Sequence, residues 1–180
     1  MCQLLGMNCN VPTDICFSFT GFRARGGLTD HHRDGWGIAF YEGRGCRTFH
    51  DPHPSAESEI ARLVSDYPIK STAVIAHVRQ ANSGRVGLEN THPFTRELWG
   101  RYWTYAHNGQ LKDYKSLTQG RFKAVGTTDS EVAFCFILSE LAKRYPDKPP
   151  ARKQIFRLIK KLSDQLKQQG VFNLLLSDGE

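Results

Sequence analysis

The chain predicts an α+β fold, with helices layered on sheet, and three observations carry that expectation. Short runs rich in β-branched and aromatic residues recur between turn residues; two long helical patterns stand side by side between residues 128 and 169; and an apolar strand follows them at once. At 180 residues the chain fits one domain that can bury a core without metal or disulfide staples.

The elements read in order as follows. GWGIAFY at 35–41, TAVIAHVR at 72–79 and RYWTYAH at 101–107 are expected as buried strands. Between the first two, Ile60, Leu63, Val64 and Tyr67 recur at helical spacing, so residues 56–66 read as an amphipathic helix laid on a sheet by that stripe and stopped before Pro68. A second helix begins at Thr128, with Glu131 placed to complete a capping box, and runs through VAFCFILSELAKRY. Its apolar residues cover more than one side, which predicts deep burial. Pro146, Pro149 and Pro150 mark the break before a third helix, 151–169. That helix carries Ile155, Leu158, Ile159, Leu162 and Leu166 on one stripe and ends at Gly170, after which VFNLLLS reads as a strand. Asp178-Gly179 reads as a hairpin turn with no partner strand after it, so the natural protein is expected to continue beyond residue 180.

Composition narrows the function classes. A hydrophobic fraction of 39% and a charged fraction of 23%, with no long apolar run, predict a soluble chain without a membrane span. The first residues, MCQLLGMNCN, lack a secretory signal, which points to the cytoplasm and to removal of nothing beyond Met1. Five cysteines, at 2, 9, 16, 46 and 135, form no paired CxxC and favour reduced thiols. The net charge of +6 is concentrated between Lys143 and Lys167 and reads as a solvated helix face, so no nucleic acid is expected. No metal and no cofactor are expected, because the histidines and cysteines do not fall at ligand spacings.

Chemistry starts at Cys2. A small residue after the initiator methionine allows that methionine to be removed, leaving a thiol and a free α-amine on one residue. The amine titrates near ~7.7–8.0 and the thiol near ~8.5 in model compounds, so the amine can take the proton of its own thiol. Taken alone, a cysteine at position 2 is more often a packed small hydrophobe. Three later segments corroborate it. AHVR at 76–79 ends a strand in Arg79, whose planar fork matches a carboxylate, although a lone strand-end arginine is usually a surface charge. His107-Asn108-Gly109 offers an amide and a glycine N–H that can converge on an oxyanion, or else a simple Asn-Gly turn. Thr127-Thr128-Asp129-Ser130-Glu131 puts the Asp129 carboxylate at a helix start, where it can face an ammonium group or simply belong to a cap. His77 and His107 read as hydrogen-bonded core histidines rather than bases.

Taken together, Cys2, DGWGIAFY at 34–41, AHVR at 76–79, NTHPF at 90–94, HNG at 107–109 and TTDSE at 127–131 resemble, in order, the class II glutamine amidotransferase domain. The resemblance spans nearly the whole chain and is nearest to small stand-alone members, some acting on γ-glutamyl compounds. It implies an Ntn-hydrolase fold, a four-layer αββα sandwich over residues 1–180. It further implies Cys2 as nucleophile, Asn108 and Gly109 as oxyanion hole, Arg79 as carboxylate-binding arginine and Asp129 as ammonium-binding aspartate. Thr91 and His92 resemble a Thr-His pair beside the substrate carboxylate. Arg33 reads equally as a brace for the Cys2 loop or as a surface charge. The implied reaction is hydrolysis of the γ-amide of glutamine or of a γ-glutamyl compound through a thioester, with a small-molecule substrate and a possible protein partner that uses the ammonia. A non-catalytic member binding an amino acid or a partner is the alternative.

Overall fold

A computed structural model describes residues 2–81, 84–118 and 120–180. Met1, and with it the processing expected there, lies outside the described residues.

Two sheets carry the fold. The first contains β1 (Gln3–Thr13), β2 (Trp36–Glu42), β3 (Gly45–Asp51) and β4 (Ser71–Val78), in the order β1-β4-β2-β3. The second contains β5 (Phe94–Leu98), β6 (Arg101–Leu111) and β7 (Gly170–Ser177), in the order β5-β6-β7. Every named strand pairing is antiparallel. Helices α1 (Cys16–Ala24) and α2 (Glu59–Asp66) share an apolar core with the first sheet, built on Phe19, Trp36, Ile38, Phe40, Val74 and Val78. Helices α3 (Asp129–Arg144) and α4 (Arg152–Lys167) share another with the second sheet, built on Trp103, Tyr105, Phe134, Ile137, Leu162 and Leu166. The order of layers is helix, sheet, sheet, helix, as the resemblance implies.

Side-chain alternation along a strand then decides what lies between the sheets. In β2, Trp36, Ile38 and Phe40 face the helices, leaving Gly37, Ala39 and Tyr41 to face the second sheet. In β4, Val74, Ala76 and Val78 face the helices, so Ile75 and His77 point inward, and Arg79 continues their side. In β6, Trp103 and Tyr105 pack on α3 and α4, so Thr104, Ala106 and Asn108 turn toward the first sheet. Close approach is bought with glycine: a Cβ on Gly6 would lie 3.2 Å from Leu175 Cδ1, and one on Gly37 would lie 2.3 Å from the His92 carbonyl. The Tyr41 hydroxyl stitches the layers, reaching the Tyr102 carbonyl at 2.8 Å, Thr104 Oγ1 at 2.9 Å and the Ser177 carbonyl at 2.8 Å.

The structure departs from the sequence reading at definite points. Strands β1, β3 and β5 and helix α1 are absent from that reading; all three strands are sheet edges, polar or interrupted by Gly and Pro, so they lack the continuous apolar signature of a central strand. Helix α2 rests on Ala61 and Val64, while Ile60, Leu63 and Tyr67 are exposed, so only Val64 of the expected stripe faces the core. Thr128 caps α3 by accepting from Glu131 N at 3.2 Å, yet the Glu131 carboxylate reaches past the cap to Gly126 N at 2.7 Å, Val125 N at 3.1 Å and Arg96 at 2.5 Å. Asn108-Gly109 is no turn; β6 runs through it to Leu111, paired with β7. Beyond β7, Asp178 and Glu180 pair with Arg101 at 3.1 and 2.8 Å.

Candidate functional site

One pocket gathers residues from four places in the chain: Cys2 before β1, Arg79 after β4, Asn108 and Gly109 in β6, and Asp129 at the start of α3. Register explains the first two. Gln3 pairs with Val78, so the residue before β1 meets the residues after β4. Cys2 Sγ lies 3.4 Å from both the N–H and the carbonyl of Gln80. Burial pushes the thiol pKa above its ordinary value; the Gln80 N–H and the Arg79 charge act the other way. A thiol held protonated in this way needs a nearby base to become a nucleophile.

Arg79 is buried and anchored at both ends. Its N–H donates to the Gly35 carbonyl at 2.8 Å, and its Nη1 lies 3.4 Å from the carbonyls of Asp34 and Arg85. Asp34 was not singled out by sequence. Its N–H donates to the Arg79 carbonyl at 3.1 Å, and its carboxylate accepts from Ala81 N at 2.7 Å. It thereby fixes the segment on which both the guanidinium and the seat of Cys2 depend; its signal in sequence was only its place at the head of DGWG.

Asn108 faces the interlayer with its side-chain oxygen buried and without a hydrogen-bond partner among the described residues, while its carbonyl accepts from Asn173 Nδ2 at 3.1 Å. Gly109 is obligatory: a Cβ there would lie 1.9 Å from the Val171 carbonyl oxygen. Asp129 is buried in the first turn of α3, and one of its oxygens accepts from Leu111 N at 2.8 Å. The pocket thus holds a thiol, an amide, a guanidinium and a carboxylate, a set able to take an amino acid's zwitterionic end while presenting a nucleophile to its side chain.

Among the remaining candidates, His92 lines this pocket and Thr91 does not. Thr91 borders a second, more open groove with His50, Glu89 and Arg96, and its hydroxyl donates to the Gly87 carbonyl at 2.9 Å. His92 is buried, its ring nitrogens are without a hydrogen-bond partner among the described residues, and its ring packs at a tilt on His77 at 4.2 Å and Phe94 at 4.4 Å. Burial pushes His77 down to about 3 and His92 well below its ordinary value. Arg33 is exposed, donates to the Gly27 carbonyl at 3.1 Å and pairs with Glu57 at 3.5 Å; it does not line the pocket. No group of three or more metal-ligating side chains occurs among the described residues. No helix among them is long and apolar enough to cross a membrane.

Comparison with known proteins bears on this arrangement. The chain is 67% identical, over 99% of its length and 70% of the other's, to "Putative glutamine amidotransferase YafJ" of Escherichia coli (strain K12). It is 54% identical to a like-named protein of Haemophilus influenzae, of which it spans 61%. It is similar to the crystal structure of a "predicted glutamine amidotransferase" from Pseudomonas aeruginosa PA01, with a TM-score of 0.76 and 48% identity over 99% of this chain and 70% of that one. The glutamine phosphoribosylpyrophosphate amidotransferase of B. subtilis shares the fold at 21% identity and a TM-score of 0.69, over 98% of this chain and 35% of that one. The family description "Glutamine amidotransferases class-II" fits residues 1–180, and with relatives of this closeness the chain belongs to that family.

Proposed function

We propose that this chain cleaves the side-chain amide of glutamine, or the γ-amide of a γ-glutamyl compound, through a thioester on Cys2. One observation carries the reading: the half-buried Cys2 thiol shares its pocket with Arg79, Asn108, Gly109 and Asp129, although these residues are far apart in sequence. Arg79 takes the substrate α-carboxylate and Asp129 the α-ammonium, which leaves the amide end directed at Cys2. His92 lines the same pocket beside them.

With Met1 removed, the α-amine of Cys2 accepts the thiol proton as Sγ bonds to the amide carbon. The resulting oxyanion is held by the Asn108 amide and the Gly109 N–H. Collapse breaks the C–N bond, and the α-ammonium returns its proton to the departing ammonia or amine. Water, deprotonated by the same amine, then attacks the thioester and frees glutamate and the thiol. Hydrolysis with release of the amine is the reading favoured for this chain alone; transfer of ammonia to a separate protein partner is the variant its family membership keeps in view.

The test is a glutamine-shaped diazoketone followed by peptide mapping. Modification at Cys2, prevented by excess glutamine, is expected. Modification scattered over Cys9, Cys16 and Cys46, or indifferent to glutamine, overturns the proposal.

A further inference from the structure

The mechanism above leaves His107 without a task, yet the residue is 1% exposed and both ring nitrogens are engaged. Nε2 lies 3.2 Å from the Val171 carbonyl, and a carbonyl has no proton to give, so Nε2 carries the hydrogen. Nδ1 is then the lone-pair nitrogen and accepts from the Ser130 hydroxyl at 2.8 Å. Ser130 directly follows Asp129 in the first turn of α3. His107 directly precedes Asn108 in β6, and alternation turns it to the opposite face, toward the helix. A Cβ on Gly109 would come within 2.6 Å of Nε2, so the imidazole lies hard against the glycine backbone. Phe172 closes the other side, with ring centres 4.9 Å apart. The β6 strand is therefore tied to α3 twice, by His107 to Ser130 and by Leu111 N to Asp129, once on each side of Asn108-Gly109.

We propose that the His107–Ser130 tether is a positioning device that sets the separation between Asn108-Gly109 and the Asp129 carboxylate, and with it the alignment of the scissile amide on Cys2. The inference rests on the reading of the pocket given above. His107 acts through its neighbours: with both nitrogens committed, it is a strut and takes no proton from substrate.

The tether predicts a selective defect. Ser130→Ala removes the hydroxyl and leaves Cys2 untouched. Alkylation of Cys2 by iodoacetamide, which makes no use of the zwitterion site, is expected to proceed at the parent rate. Modification by the glutamine-shaped diazoketone is expected to slow about tenfold to a hundredfold, the scale of a misplacement of about 1 Å. Ser130→Thr, which restores the hydroxyl, is expected to recover most of that rate. Equal rates with both reagents in Ser130→Ala, equal slowing with both, or no recovery in Ser130→Thr each overturn the tether. Should Ser130→Ala lose its thermal transition, the same ratio is read in His107→Asn, whose side-chain oxygen can replace Nδ1; a changed ratio there counts against the proposal. If the parent chain shows no glutamine-protected modification of Cys2, the reading of the pocket fails first, and the two failures are distinguished.

Discussion

At the scale of residues, the strongest expectation falls on Asn108. Its side-chain oxygen has no partner to lose, so Asn108→Ala is expected to keep the parent's thermal transition while glutaminase turnover drops about a hundredfold to a thousandfold. Steady-state kinetics beside a melting curve checks both halves, and normal turnover would remove Asn108 from the oxyanion hole. Asp34 makes a different prediction, because its carboxylate holds Ala81 N rather than substrate. Asp34→Ala is expected to cost about 1–3 kcal/mol in urea unfolding, the usual loss when a charged acceptor is deleted, and to slow iodoacetamide at Cys2 as well. Sequence made the pocket residues legible, since Cys2, Arg79, Asn108 and Asp129, which line one pocket, each sit at an element end or in a motif with its own chemistry. It could not show Asp34 or the His107–Ser130 pair as braces, because hydrogen bonds spanning 47 and 23 residues leave no local pattern.

At the scale of elements, two glycines make opposite predictions. Gly109→Ala would drive a methyl to 1.9 Å from the Val171 carbonyl and prise β7 from β6, with an expected loss of about 3 kcal/mol or more. Gly21, exposed within α1, has nothing within 4 Å of its missing Cβ. Gly21→Ala is expected to stabilise by about 0.5–1 kcal/mol, the helix-propensity difference. Chemical denaturation of both variants checks the signs; a stable Gly109→Ala chain would mean that β6 and β7 can separate without harm. Central strands β2, β4 and β6 were legible because both of their faces are covered, and α3 because apolar residues surround it. Helix α2 was misread in orientation: of the expected stripe Ile60, Leu63 and the C-capping Tyr67 lie outward and only Val64 lies inward, beside Ala61, which a periodicity of hydrophobicity cannot distinguish.

At the scale of the whole molecule, the interlayer holds uncharged histidines, and that sets a dependence on pH. His77 titrates near 3 in the folded chain against an ordinary value of 6.5, and His92 is lowered in the same direction, both chiefly by burial. Above pH 6.5 neither folded nor unfolded chain carries these protons. Below it the unfolded chain binds them and the folded chain does not, so stability falls as pH drops from 6.5 toward 3, by up to about 1.4 kcal/mol per pH unit for each such group. Carboxylates titrate lower, near ~4, so urea unfolding between pH 7.5 and 5 isolates the histidines; a flat profile over that range would contradict their burial as neutral groups. The layered architecture was legible from the order of elements together with the family resemblance, whereas the stacking of sheet on sheet depends on contacts between distant strands. The proposed nucleophile stands at position 2 and the residues that share its pocket at 79, 108 and 129, which has a consequence during synthesis. In a growing chain the Cys2 thiol is made first and its pocket is complete only once α3 has docked behind β6, so the proposed activity is expected only of finished copies.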